Sequence, residues 1–167
     1  SLNGLGVLQQ LITERKEKGL ETQQGKDASP LRPDYNALKQ GTEVQTKLSG
    51  KPFTYSFAPA TDYYLKAHLF GDIFSRDILT YAEREIVTVS ALASIKGIEP
   101  QLKAHINGAR NMGVSDKEIQ AIPTVLAAKV GDTEAYRARK AIAEVFGNPF
   151  NEGQPIENMV FPKGEPN

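Results

Sequence analysis

The chain has 167 residues, 40% of them hydrophobic, which is enough for one compact domain with a buried core and unlike the composition of a disordered protein. Twenty basic residues balance twenty acidic ones, so no overall charge attracts nucleic acid or an anionic membrane surface. With no cysteine there is no disulfide and no thiolate nucleophile, and no apolar run approaches the roughly 18 residues that span a bilayer.

The first residues predict an amphipathic helix of their own. Residues 2–19 carry apolar side chains at helical spacing, then the charged run "ERKEK" and a glycine where a helix would stop. Residues 21–33 are polar and contain two prolines, which is typical of a linker. We therefore divide the chain into an N-terminal helix (1–20), a linker (21–33), a domain (34–147) and an irregular tail (148–167).

The first half of the domain predicts two helices. Residues 34–48 read as one helix, ended by Ser49 and Gly50. Thr61 is expected to cap a second helix that runs to Phe74, with its later turns weakened by Gly71.

The centre of the domain predicts a buried helix. Thr80 and Glu83 form a capping box that opens a helix running to Gly97, and this helix is apolar nearly all round. Pro100 suits the first turn of the next helix, which Gly113 ends.

The last part of the domain carries a second capping box, at Ser115 and Glu118. Pro123 is expected to kink or interrupt that helix near Gln120. A final helix should run from Asp132 or Thr133 to Gly147, and the tail should pack through Phe150, Ile156, Val160 and Phe161. Since no strand or hairpin pattern occurs, we predict an all-α domain of about six or seven helices.

Glu85 and His105 form the first candidate site. Two helices joined by a short turn pack antiparallel, which brings Glu85 near the start of one towards His105 in the middle of the next. A carboxylate beside an imidazole is suited to general acid–base chemistry. The alternative is structural: His105 is merely half-buried, and Glu85 pairs with Arg84 or Lys103.

His68 and Asp72 stand four residues apart on one predicted helix, which is half of a metal site. Two histidines in the whole chain are too few for a closed zinc site, and a His–Asp contact at this spacing is ordinary helix chemistry. No metal site is therefore predicted.

The central motifs resemble a known family. The segments "FGDIFSR", "REIVTVSALAS" and "PQLKAHINGARNMGVS", within residues 68–122, are similar in content and order to the carboxymuconolactone decarboxylase family, which includes the alkylhydroperoxidase D-like proteins. The resemblance implies an all-α, alkylhydroperoxidase D-like helical fold and assembly into homotrimers or hexamers.

The peroxidase branch of that family uses a Cys-x-x-Cys-x-x-x-His motif with an upstream glutamate. Laid onto this sequence, the histidine is His105, the cysteine positions are Ile98 and Gln101, and the glutamate is Glu85. Since neither position supplies a thiolate, a thiol peroxidase mechanism is disfavoured for this chain.

The decarboxylase branch also lacks the cysteine pair and needs no organic cofactor. The resemblance to it implies a carboxy-lyase acting on a small carboxylated lactone or enol, with His105 as general acid and Glu85 orienting it. His68, Arg76 and Gln101 are the candidate substrate-binding residues. Two alternatives stay open: a peroxiredoxin-like antioxidant protein whose cysteines are absent from this copy, and a non-catalytic oligomerisation module.

The N-terminal "SLNGLGVLQQL" resembles the last helix of the same family domain. Leu8, Leu11 and Ile12 then match Ile142, Val145 and Phe146 of the final helix. This suggests a tandem protein of which the chain is the second copy, although an extra N-terminal helix is the alternative. The compartment stays open between the cytoplasm and, should a signal peptide precede Ser1, export.

Overall fold

Seven α-helices and one π-helical segment make up the regular structure of residues 2–21, 23 and 25–150, the part of the chain that the computed structural model describes. No strand occurs in these residues, so the predicted all-α class is confirmed. The elements are α1 (Leu2–Glu17), α2 (Ala37–Ser49), α3 (Pro59–Tyr64), the π-helix (Leu65–Ile73), α4 (Tyr81–Ala93), α5 (Glu99–Asn111), α6 (Asp116–Lys129) and α7 (Asp132–Phe146). None of these described helices is long and apolar enough to cross a membrane.

Both predicted capping boxes are present. The Thr80 side chain accepts from the Glu83 amide while the Glu83 carboxylate accepts from the Thr80 amide, and Ser115 and Glu118 repeat the pattern at α6. Each box satisfies two amides that a helix start leaves without a partner inside the helix. The start of α4 is therefore fixed locally, one turn before Glu85.

The main core lies between α4, α5, α6 and α7. Its side chains are buried, and Val89, Ile106, Ile119 and Ile142 have no exposed surface. A second, smaller core joins α2, the π-helix and the end of α5 through Val44, Leu48, Phe70 and Met112. Helix α5 contributes to the main core, and its C-cap residue Met112 belongs to the smaller one.

The helix predicted to begin at Thr61 begins earlier, at Pro59, and continues as the π-helix, which the sequence did not predict. Gly71, which was expected to weaken the later turns of this element, lies inside the π-helix at a close approach to α2. A β-carbon on Gly71 would lie 2.9 Å from the backbone carbon of Ala37, and one on Gly41 would lie 2.7 Å from the backbone nitrogen of Gly71. The two glycines therefore let α2 and the π-helix touch backbone to backbone.

The structure differs from the sequence prediction at two other places. Helix α4 ends at Ala93 rather than Gly97, with Ser94 as its C-cap. Pro123 does not interrupt α6, which runs from Asp116 through Lys129 with the proline buried inside it. Burial of Ile119, Ile122 and Leu126 holds the helix together despite the missing amide donor.

Helix α1 contributes no buried side chain. Its leucines remain largely exposed, for example Leu8 at 52%, so its apolar side has no partner within the described residues. In the tail, Phe150 packs edge-on against Tyr136, with ring centroids 5.4 Å apart. The other predicted tail anchors, Ile156, Val160 and Phe161, lie outside the described residues.

Candidate active site

Glu85 is a buried acid in the apolar stretch of α4. Glu85 has 0% of its surface exposed to solvent. Burial of a carboxylate is costly unless the group is paired or hydrogen-bonded. The capping box at Thr80 sets where the helix begins and therefore the direction in which Glu85 projects. The carboxylate points towards α5.

His105 supplies the partner. Its Nδ1 lies 2.8 Å from Oε2 of Glu85, a hydrogen-bond distance across two helices. The alternative in which Glu85 pairs with a neighbouring cation does not fit this geometry. Arg84 donates instead to the carbonyl of Arg76, and Lys103 pairs with Glu144 at 2.9 Å.

The contact suits one imidazole tautomer. A carboxylate that is ionised can only accept a hydrogen bond, so with an ionised Glu85 the shared proton lies on Nδ1, and the other ring nitrogen, Nε2, is left for other chemistry. The His105 side chain is 31% exposed, and Nε2 has no hydrogen-bond partner among the described residues. A buried acid therefore orients a half-exposed imidazole.

The second carboxylate oxygen of Glu85 is unusual. Oε1 is buried and has no hydrogen-bond partner within the described part of the chain. Oε2 lies 3.4 Å from where a β-carbon on Gly108 would be, and Leu48 lies closer still to that position. The absence of a side chain at Gly108 thus makes room for both Leu48 and the Glu85 carboxylate, a role signalled in the sequence only by a glycine inside a helix.

The three predicted substrate-binding residues are dispersed. Gln101 is exposed on α5, one turn before His105 and on the same face. His68 lies on the π-helix with a side chain 67% exposed, and its Nδ1 is 3.3 Å from Asp72, as its spacing predicted. Arg76 is exposed on the segment before α4. No hydrogen bond or ion pair between described residues joins any of the three to Glu85 or His105.

A separate cleft of about 460 Å³ lies beside the start of α4, lined by linker residues, by Tyr35 and by the segment from Phe74 to Tyr81. Neither Glu85 nor His105 lines it. We call it the linker cleft. Among residues 2–21, 23 and 25–150 no group of three or more histidine, aspartate or glutamate side chains is arranged to hold a metal ion.

Comparison with known proteins places the chain in a family. It is 29% identical over 90 residues to Peroxisomal protein 2 of Saccharomyces cerevisiae, a match that covers 52% of this chain and 31% of that relative. The chain thus spans about a third of the length of the curated relative that it matches. No solved structure is significantly similar to it. The model of the carboxymuconolactone decarboxylase family matches residues 59–144, which carry both Glu85 and His105, and the chain therefore belongs to the carboxymuconolactone decarboxylase family.

Proposed function

We propose that the chain is a cofactor-free carboxy-lyase that protonates carbon on a small carboxylated lactone or enol. The observation that carries this proposal is the 2.8 Å contact between the buried Glu85 carboxylate and Nδ1 of His105, whose other ring nitrogen has no partner in the described structure. Family membership supports the same assignment.

In the proposed step, the bond between the substrate's ring carbon and its carboxylate breaks and carbon dioxide leaves. The electron pair of that bond passes into the conjugated carbonyl system and forms a dienolate. The imidazolium form of His105 then gives its Nε2 proton to the dienolate carbon, and solvent water returns a proton to the imidazole. Glu85 stabilises the imidazolium through Nδ1, as expected of a carboxylate that orients a catalytic histidine.

Substrate binding is assigned to Gln101, Arg76 and His68. Gln101 is favoured by its position one turn from His105 on α5, where its amide can contact a bound substrate. Arg76 and His68 supply the cationic groups that a substrate carboxylate would need. Both side chains are exposed, so a substrate carboxylate reaches them directly from solvent.

The competing hypothesis is a non-catalytic module, in which the pair only stabilises the packing of α4 on α5. It is favoured by one observation, that the linker cleft is not lined by His105.

An assay of the purified chain with a carboxymuconolactone tests the proposal. Turnover is measured as the carbon dioxide released. His105→Ala should lower turnover roughly 100-fold or more, as expected on loss of a general acid, and Glu85→Gln should lower it less. Gln101→Ala should chiefly raise KM. Asn107→Ala, an exposed change on the same helix, is the matched control and should leave turnover unchanged.

No turnover by the folded wild-type chain, or undiminished turnover by His105→Ala, would contradict the proposal. Variants of Glu85 and His105 that lose stability alone would favour the non-catalytic module.

A further inference from the structure

The linker cleft has the size and the walls of a small-molecule site. Its volume of about 460 Å³ falls within the range of roughly 300–1,000 Å³ in which proteins bind small ligands. One wall is the linker at residues 29–32, and the facing wall is the segment that leads into α4.

The linker wall is held in place from across the fold. The amide of Ser29 donates to Oδ1 of Asp77 at 2.9 Å, and its hydroxyl donates to Oδ2 at 2.6 Å. A polar linker would otherwise be free to leave the domain surface. Both oxygens of Asp77 are already engaged, so this carboxylate is a poor partner for a ligand cation.

The lining is aromatic with one accessible cation. Tyr35, Phe74 and Tyr81 supply flat apolar surfaces of the kind that bind rings. Arg32 also lines the cleft, and its ion pair with Asp34 is loose at 3.7 Å and largely exposed. Such a pair costs little to exchange for a ligand carboxylate, which a guanidinium binds through two hydrogen bonds.

Tyr35 adds an unsatisfied polar group. Its hydroxyl oxygen is shielded from solvent and has no hydrogen-bond partner among the described residues. Buried hydroxyl groups nearly always have a hydrogen-bond partner, so a ligand oxygen that contacts this hydroxyl is bound favourably.

We propose that the linker cleft binds a compact ring-bearing monocarboxylate, with its ring against the aromatic wall of Tyr35, Phe74 and Tyr81, its carboxylate on Arg32 and a second oxygen on the Tyr35 hydroxyl. Burial raises the pKa of Tyr81, and the neighbouring Tyr35 and Glu43 raise it further while Arg84 opposes them, so the Tyr81 ring stays neutral beside an anion. The site is distinct from the Glu85–His105 pair, and its occupation requires no turnover.

Titration of the full chain with 4-hydroxybenzoate, followed by two-dimensional 1H–15N NMR, tests the proposal. The amide signals of Leu31, Tyr35, Gln40 and residues 74–81 should shift together and saturate. 4-Hydroxybenzamide, which keeps the ring and hydroxyl without the charge, should bind more weakly.

Arg32→Gln and Tyr35→Phe should each weaken 4-hydroxybenzoate binding roughly fivefold, in keeping with one exposed ion pair and one hydrogen bond. Lys117→Gln, which removes an exposed positive charge on α6, is the matched control and should bind as the wild type does. The unperturbed NMR spectrum of each variant verifies its fold. The proposal is overturned by an absence of saturable shifts, by shifts that centre on other residues, or by equal affinity of wild type and Arg32→Gln.

Discussion

Glu85 and His105 lie 20 residues apart in sequence and 2.8 Å apart in the fold, with the carboxylate wholly buried and the imidazole half-exposed. His105→Leu removes the partner and leaves a buried carboxylate alone. We expect the free energy of unfolding to fall by about 2 kcal/mol. The fall should be smaller than that on breaking a fully buried pair, because the imidazole side of this pair is open to solvent. Urea unfolding measures it.

The double variant Glu85→Leu/His105→Leu separates stability from function. An apolar pair of similar volume should restore the free energy of unfolding to within about 1 kcal/mol of the wild type, since buried ion pairs are often replaceable in this way. Restored stability with lost lactone turnover would assign the pair to chemistry. A double variant as unstable as the single one would contradict this account.

Gly41→Ala should destabilise the chain by about 3 kcal/mol, because its methyl group would overlap the backbone of the π-helix at Lys66 and Gly71. Neither backbone can move without separating α2 from the π-helix. Thermal unfolding measures the loss. Gly6→Ala on α1 is the matched control, since nothing lies within 4 Å of its added carbon, and it should be neutral or slightly stabilising.

Thr80→Ala should lower the free energy of unfolding by about 1 kcal/mol through loss of the N-cap of α4.

The effect of this variant should depend on pH. The amide and hydroxyl of Thr80 hold the pKa of Glu83 below its ordinary 4.5. Stabilisation from a lowered carboxylate pKa is complete above the unfolded value and is lost as pH falls through the folded one. The cost of Thr80→Ala, measured by urea unfolding, should therefore shrink below about pH 4.5. A cost independent of pH would contradict the reciprocal bond, and Thr124→Ala, exposed on α6, should show no effect.

The features that sequence predicted well are local ones. The capping boxes at Thr80 and Ser115 need only residues three positions apart, so their pattern carries its own geometry. The contact between Glu85 and His105 was also within reach, because a short turn leaves two successive helices little choice but to pack together.

The features that sequence missed depend on distant partners. Gly41 and Gly71 are unremarkable in sequence, and their closeness appears only when α2 meets the π-helix. Pro123 would end an isolated helix, but burial of its neighbours outweighs the lost hydrogen bond. That Arg76 and His68 bind substrate stays a prediction, because chemical type alone says nothing about their distance from His105.

Helix α1 should be dispensable to the stability of the domain. Leu8→Ala, at a site 52% exposed, should change the free energy of unfolding by less than about 0.5 kcal/mol. Ile142→Ala, at the position of α7 that the sequence overlay matched to Leu8, is wholly buried and should cost about 3 kcal/mol. Chemical unfolding measures the free energy of unfolding of both variants. Equal losses for Leu8→Ala and Ile142→Ala would show that α1 packs on the domain.

The contact between Ser29 and Asp77 should open at low pH. The hydroxyl of Ser29, and then its amide, hold the pKa of Asp77 below its ordinary 3.8. The attachment of the linker is therefore complete above pH 3.8 and weakens as pH falls through the lowered folded value. Amide hydrogen exchange at Ser29 should accelerate in that window, relative to the intrinsic rate at each pH. Asp77→Asn should show fast exchange already at neutral pH, whereas Asp27→Asn, a linker change of the same type, should not. Slow exchange in Asp77→Asn would mean that other contacts hold the linker wall of the cleft.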